Sequence, residues 1–168
     1  GQTRTDAAHD LGSTAYRFKD LYLSGGVYLG GTGAANKLDD YEEGTFTATL
    51  SSGATTTPTT VGTYTKIGNR VYISLSLFFG SITVNGTALQ VTGLPFTNSG
   101  EGVDAFASCA QRINFDSSKI QYWNLESSTT LNLKEATSNT NSISNVLSQA
   151  SGTYTPIFGN VSFHYQTA

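Results

Sequence analysis

An alternation of apolar and polar side chains with a period of two constrains this chain of 168 residues more than any other feature. It is clearest in the run RVYISLSLFF, where every second side chain from position 71 is apolar. Successive side chains of an extended strand point to opposite faces. One face would therefore carry Val71, Ile73, Leu75, Leu77 and Phe79. This pattern predicts a β-strand with one buried face.

Segments of the same kind recur between turns rich in Gly, Ser, Thr and Asn. In TFTATL, apolar residues alternate with threonines from Phe46 to Leu50, and Gly68 with Asn69 suits a two-residue hairpin turn. SKIQYWNL and TTLNLKEA are expected to pair as another hairpin, and only ISNVLSQ, residues 143–149, is helix-like. About eight regularly spaced strands predict an all-β fold, an antiparallel β-sandwich of the jelly-roll type.

Composition narrows the function classes. Charged residues make up 12% of the chain, against about 25% in an average protein, while 38% hydrophobic residues are enough for a folded core. The net charge is −3 and the nine basic residues are scattered, which argues against a nucleic-acid partner. The sequence has no apolar stretch of about 20 residues that would insert into a membrane. It also lacks methionine, so either an initiator Met was removed before Gly1 or the chain is a piece of a longer protein, and we expect the second.

The inventory of reactive residues gives no sign of catalysis. His9 and His164 are the only histidines, too few for a zinc site or a nucleophile with its base, so no metal or cofactor is expected. Asp104, Asp116 and Glu126 could in principle supply a pair of carboxylates for glycoside cleavage, but all three flank predicted turns. Cys109 lies in an apolar run, and we interpret it as a buried, unreactive thiol. The chain is therefore expected not to be an enzyme.

Two adjacent aromatic residues, Tyr122 and Trp123, mark one predicted strand. Neighbours on a strand project to opposite faces, so one ring would lie in the core. The other could stack on the apolar face of a sugar beside Gln121 or Asn124. The alternative is that both rings are buried, in the core or at a subunit interface.

The chain divides by composition into an N-terminal segment, residues 1–43, and a head domain, residues 44–168. Near the boundary lie Asp39, Asp40, Glu42 and Glu43, which lack the ligand spacing of a calcium loop. We interpret this cluster as a solvated linker in which Leu38 and Tyr41 point inward. Before it, the segment DLGSTAYRFKDLYLSGGVYLG reads as two short strands joined by a Ser-Gly-Gly hinge.

Four phrases occur in a fixed order: DLGSTAYRFKDLYLSGGVYLGG, ANKLDDYEEGTFTATL, YTKIGNRVYISLSLFF and VTGLPF. They resemble the C-terminal parts of tailed-bacteriophage tail fibres and related virion fibre proteins. The resemblance covers nearly the first hundred residues, with a looser similarity in the closing SFHYQTA, and residues 98–151 carry no family motif. The matching phrases contain no catalytic residues.

This resemblance implies a parallel homotrimer displayed on the virion, attached to other virion proteins upstream, whose distal part contacts host surface polysaccharide or protein. Three intertwined copies of the N-terminal segment would form a short β stalk with a shared apolar interior. The interface residues would be Tyr16, Phe18, Leu21, Leu23, Val27 and Leu29. The alternative is a monomer in which this segment folds back as an edge hairpin on its own sandwich.

The implied function is a receptor-binding head with its binding residues in the variable half of the chain. The candidates are Arg112, Asn114, Asp116, Lys119, Gln121, Trp123 and Asn124, together with the loop of residues 139–145. A trimer repeats a weak site three times, so avidity would raise its apparent affinity. Two alternatives stay open: a purely structural virion fibre or capsid decoration protein, and a capsule-degrading enzyme.

Overall fold

A computed structural model describes residues 5–52, 59–78, 82–84, 88–100, 103–105, 119–125, 129–137, 143–145, 152–154 and 157–167. These residues are all-β with an antiparallel curled sheet, which confirms the all-β part of the predicted fold, and the jelly-roll sandwich stays a prediction. The only helix among them is the three-residue 3-10 helix Ala34–Asn36. The chain falls into two compact units, Gly1–Asp39 and Asp40–Ala168.

Thirteen strands lie in the described residues. In chain order they are β1 (Val27–Tyr28), β2 (Lys37–Leu38), β3 (Tyr41–Ser52), β4 (Thr59–Ile67), β5 (Arg70–Phe78), β6 (Ile82–Val84), β7 (Gln90–Thr92), β8 (Val103–Ala105), β9 (Lys119–Leu125), β10 (Leu131–Thr137), β11 (Ile143–Asn145), β12 (Gly152–Tyr154) and β13 (Ile157–Gln166).

The N-terminal unit differs from the predicted pair of strands. Strand β1 pairs antiparallel with β2, and the described residues before Val27 contain no strand. The connection between the two strands is closed by the 2.9 Å hydrogen bond that the Leu29 amide donates to the Asn36 carbonyl oxygen. The predicted hairpin across the Ser-Gly-Gly hinge is therefore wrong for the single chain, because the partner of Val27 is Leu38, on the other side along the sequence.

The second unit is built on one antiparallel sheet of nine strands among the described residues. Its order is β13-β5-β4-β3-β7-β10-β9-β8, with β11 paired to β10 beside β7. The two ends of this order, β13 and β8, lie within 8 Å of each other, so the sheet curls back on itself. A separate two-stranded sheet joins β6 and β12.

The core fills the inside of the curl. The apolar side of β5 predicted from the alternation is buried at Val71, Ile73, Leu75 and Leu77, while Phe79 lies outside the described residues. The remaining core side chains come from β3, β7, β9, β10, β13 and the residues around β7: Ala48, Leu50, Leu89, Val91, Leu94, Trp123, Leu125, Leu131, Leu133, Val161, Phe163 and Tyr165.

Glycine is needed for the backbone conformation at two places next to strands. Gly68 and Asn69 form the predicted two-residue turn between β4 and β5, with Gly68 at a positive φ of 58°. Gly93, after β7, has a φ of 98°, and a Cβ at this position would lie 2.3 Å from the carbonyl oxygen of Thr47. Only glycine suits a site with both a positive φ and so close a backbone approach.

Two further expectations are corrected by the structure. Residues 143–145 of the helix-like segment form strand β11, because their backbone pairs with residues 134–136 of β10. Leu38 and Tyr41 do not point inward but are 37% and 57% exposed. Tyr41 already belongs to β3, where it lies opposite Ile67.

Candidate functional site

The predicted receptor-binding residues fall partly outside the described part of the chain. Arg112, Asn114 and Asp116 lie there, and so do Cys109 and residues 139–142 of the predicted loop. Lys119 and Gln121 lie on β9, opposite Thr137 and Glu135 of β10. Asn124 of the same strand is half-buried.

Trp123 has a different role from the one predicted. It is fully buried in the core, opposite Leu133 of β10, and Tyr122 on the other face of β9 is also buried, with 6% exposed. The expectation that one of the two rings is accessible for stacking is wrong within the single chain, and the alternative that both are buried holds. An indole inside the core does not reach a sugar at the surface, so Trp123 leaves the candidate set.

The predicted interface residues of the N-terminal unit are accessible in the single chain. Tyr16, Phe18, Leu21, Leu23 and Leu29 are between 53% and 82% exposed, and Val27 is half-buried. Leu11, Tyr22 and Tyr28 of the same unit are also exposed. An accumulation of large apolar side chains on so short a segment is unusual for a monomer and is typical of an interaction site.

The acidic residues near the unit boundary each contact a partner within their own unit. Within the N-terminal unit, Asp39 pairs with Lys37 at 2.9 Å, and the hydrogen bond from this lysine lowers the pKa of Asp39. At the start of β3, Glu42 and Glu43 accept hydrogen bonds from the hydroxyls of Tyr64 and Tyr41. These bonds raise the pKa of both tyrosines.

A polar cleft lies at one end of the curled sheet, where separate parts of the second unit meet. Its volume is about 400 Å³. It is bounded by the start of β3, the end of β4, the β4–β5 turn, the segment after β7 and the end of β13. The lining residues are Asp40, Lys66, Gly68, Asn69, Phe96, Thr97 and Thr167.

Backbone hydrogen bonds tie the walls of this cleft together. The Gly68 amide donates to the Asp40 carbonyl oxygen at 2.7 Å, and the Thr167 amide donates to the Asn69 carbonyl oxygen at 2.8 Å. The Ser99 amide donates to the Gln166 carbonyl oxygen at 2.8 Å, next to an isolated bridge between Asn98 and Thr167. A cleft with walls joined in this way keeps its shape without a ligand.

The charges of the cleft are unequally exposed. Lys66 forms an ion pair with Asp40, and the lysine side chain is 12% exposed whereas the aspartate is 49% exposed. The Lys66 Nζ also lies 5.6 Å from the centre of the Phe96 ring. Phe96 is held in turn by an edge-to-face contact with Tyr64, with ring centres 5.3 Å apart. The accessible charge in the cleft is therefore the carboxylate.

The cleft was not predicted from the sequence. Its residues come from positions 40 to 167, and none forms a local motif that would set it apart from ordinary turn and strand residues. The nearest signals were the acidic cluster, which contains Asp40, and the hairpin turn at Gly68 and Asn69. Outside the cleft, His164 is exposed on β13, with its ring centre 5.7 Å from that of Tyr72 on β5.

Comparison with protein families and with curated proteins does not identify a relative. No protein-family model matches the sequence, and no curated protein is significantly similar to it.

In the described part of the chain, no three histidine, cysteine or acidic side chains are grouped so that they could hold a metal ion. The same residues contain no helix with the length and apolar character needed to cross a bilayer.

Proposed function

We propose that the chain is the receptor-binding head of a bacteriophage tail fibre, together with the segment that trimerises it. In this proposal it acts without catalysis and contacts host surface glycan through the distal loops of a parallel homotrimer on the virion. The main observation that supports this proposal is the exposure of five large apolar side chains in the N-terminal unit: Tyr16, Phe18, Leu21, Leu23 and Leu29. The order of the sequence phrases that resemble fibre proteins supports it.

The physical case for a trimer is the apolar surface that one copy leaves in water. Full burial of one Leu or Phe side chain contributes about 1.5 to 3 kcal/mol. Several such side chains in each of three copies would stabilise an intertwined β stalk strongly. Strands that a single chain lacks between residues 5 and 26 would then form by pairing between copies, and the curled sheet would form a sandwich-type head.

A matched pair of double variants tests this assembly. Leu21→Asp with Leu23→Asp puts two charges into the proposed apolar interior, whereas Thr14→Asp with Ser24→Asp adds the same charges at exposed polar positions of the same segment. We expect light scattering to give three times the chain mass of 17.8 kDa for the wild type and the control, and monomer or aggregate for the first variant. An unchanged mass in the first variant would remove the stalk.

A purely structural virion role, as a fibre segment or capsid decoration protein, is the second candidate. The burial of Trp123 favours it, because the most promising aromatic platform for a sugar is then unavailable. An array of bacterial surface polysaccharides probed with the intact protein separates the two candidates. Specific retention supports receptor binding, and a blank array supports the structural role. Release of new reducing ends from a retained polysaccharide would instead indicate a capsule-degrading enzyme.

A further inference from the structure

The cleft between Asp40 and Thr167 is a concave site whose walls come from distant parts of the second unit. Its volume of about 400 Å³ is in the lower part of the range for small-molecule sites. Its walls are held by backbone hydrogen bonds between distant parts of the chain, such as those joining Gly68 to Asp40 and Thr167 to Asn69. A site formed before binding loses little conformational freedom when a ligand enters.

The charges in the cleft limit the chemistry of a ligand. An anionic group needs an accessible cation, but the Lys66 side chain is only 12% exposed and its ammonium is already paired with Asp40. The Asp40 carboxylate, 49% exposed and balanced by that ammonium, offers an anion no attraction and still accepts hydrogen bonds from hydroxyl groups. The cleft therefore suits an uncharged ligand that donates hydrogen bonds.

The other lining groups fit a ligand with several hydroxyls. Thr97 brings a side-chain hydroxyl and Asn69 an exposed amide, both of which donate and accept hydrogen bonds. The Thr167 hydroxyl already donates to the Asn69 carbonyl oxygen at 3.4 Å and can accept a hydrogen bond from a ligand. The half-buried ring of Phe96 adds an apolar surface beside them. Hydroxyl, amide and carboxylate groups around an aromatic ring complement a pyranose ring, which has polar edges and apolar C–H faces.

We propose that this cleft is a subsite for one neutral glycosyl unit of the host glycan. The inference rests on the proposed receptor-binding function and adds to the distal loops a second contact with a stated ligand class. An uncharged sugar is held by Asp40, Thr97 and Thr167 beside Phe96, at the end of the curled sheet where Asp40, the first residue of the second unit, lies. This site is distinct from the residues on and before β9 that the sequence suggested.

NMR titration of the intact, isotope-labelled protein measures this binding, even when it is weak. The probes are the methyl glycosides of glucose, galactose, mannose and N-acetylglucosamine, with methyl glucuronide as the acidic counterpart. We expect at least one neutral glycoside to shift the amide resonances of Gly68, Asn69 and Thr97, and the glucuronide to shift them less at equal concentration. Absence of shifts there with every neutral glycoside, or a stronger response to the acid, overturns the subsite.

A pair of threonine variants tests the contact directly. Thr97→Val removes an exposed hydroxyl in the cleft, and Thr47→Val makes the same change at an exposed position of β3 outside it. One hydrogen bond contributes a net factor of roughly 2 to 12 in affinity. Thr97→Val should therefore raise the Kd of the bound glycoside by roughly that factor and leave the thermal midpoint of unfolding unchanged. Thr47→Val should leave the Kd unchanged. Equal affinities for both variants would contradict the assigned role of Thr97.

The subsite and the proposed function fail in different ways. If the trimer is retained on the polysaccharide array and titrated shifts lie elsewhere, the cleft is wrong and the receptor-binding function stands. If the array is blank and no glycoside binds, both are wrong. If glycosides shift the cleft amides but the array is blank, the cleft binds neutral sugars and the host-attachment role fails.

Discussion

At the scale of single residues, the fold depends on positions where only one side chain fits. Gly93 is such a position, because it combines a positive φ with a backbone oxygen of Thr47 in the place of a Cβ. Gly68 also has a positive φ, but a Cβ there would meet nothing within 4 Å. Substitution of Gly68 therefore measures the cost of a positive φ alone, whereas substitution of Gly93 measures that cost together with a steric clash.

Alanine substitution at both positions should show this difference. We expect Gly68→Ala to lower the free energy of unfolding by about 1 kcal/mol, the cost of the left-handed conformation alone. Gly93→Ala should cost about 3 kcal/mol or more, because two strands must also move apart. Urea denaturation measures both values, and similar costs for the two variants would contradict the close approach to Thr47.

Tyr165 gives the stability a specific dependence on alkaline pH. Its side chain is buried and donates a 2.9 Å hydrogen bond to the Phe96 carbonyl oxygen, and burial raises the pKa of its phenol from 10.0 to about 12. Above pH 10 the unfolded chain loses this proton and the folded chain keeps it, so ionisation favours unfolding. The contribution is fully present below pH 10 and is lost as pH rises towards 12.

The variant Tyr165→Phe isolates this effect. It should cost about 1 kcal/mol at neutral pH through the lost hydrogen bond. Between pH 9 and pH 11 the wild type should then lose about 1.4 kcal/mol more than the variant. Denaturation curves of both proteins at each pH give the difference, in which the other tyrosines cancel. Parallel curves over this range would show that Tyr165 titrates alike in both states.

Which side chains are buried was predictable where the alternation is long. Val71, Ile73, Leu75 and Leu77 follow from the period of two, since β5 has one inner and one outer face. The same rule fails at Tyr122, which is buried although its neighbour Trp123 fills the core on the opposite face. A period of two shows that the two faces of a strand differ, but it does not show whether other residues cover the outer face. That information resides in segments far away along the sequence.

At the scale of elements, β5 is the strand whose pairing matters most. It lies between β4 and β13, so its backbone forms hydrogen bonds on both edges. Ser74 lies at its middle, with its side chain exposed and its partners Thr63 and Ser162 on either side. A substitution of Ser74 therefore tests the backbone rather than the core.

Proline at position 74 should be strongly destabilising. Ser74→Pro removes a backbone donor inside a central strand and restricts φ, at a cost of about 3 kcal/mol or more, whereas Ser74→Thr suits a strand and should be within about 0.5 kcal/mol of the wild type. Thermal unfolding followed by circular dichroism measures both. A mild effect of the proline would show that β5 is not paired on both sides.

Local pairings were predictable and distant ones were not. The β4–β5 turn and the β9–β10 hairpin follow from turn residues between two alternating segments. The strand nature of residues 143–145 was missed, because Ile143, Ser144 and Asn145 gain it only by pairing with β10. Likewise, β1 pairs with β2, which follows it after a glycine-rich connection. The sequence pattern had indicated a partner in the segment before β1.

At the scale of the whole molecule, all-β architecture was predictable and the curled strand order was not. Alternation is the same in every arrangement of antiparallel strands, so it does not distinguish which strands are neighbours. The approach of β13 to β8 joins segments that are far apart in sequence, because β8 ends at Ala105 and β13 begins at Ile157. The cleft, which is lined by residues 40 to 167, could not be located without that order.

The proposed trimer predicts strong avidity. Three linked heads bind a repetitive polysaccharide with an apparent affinity about 10² to 10⁴ times that of one head. On a polysaccharide surface that retains the wild type, Leu21→Asp with Leu23→Asp should lose affinity by a factor in this range. Its head should still unfold cooperatively, and the polar control Thr14→Asp with Ser24→Asp should bind like the wild type. A monomeric variant that binds as tightly as the trimer would contradict avidity.

The pairing of β13 with β5 has a consequence for biosynthesis. Strand β5, residues 70–78, emerges from the ribosome long before residues 157–166, which complete its second edge. Until residues 157–166 emerge, one side of β5 is open, and the apolar residues Val161, Phe163 and Tyr165 are missing from the interior. Pairings between such distant segments form slowly and leave nascent chains prone to aggregation. The sheet of this unit therefore stays incomplete until residues 157–166 have been synthesised.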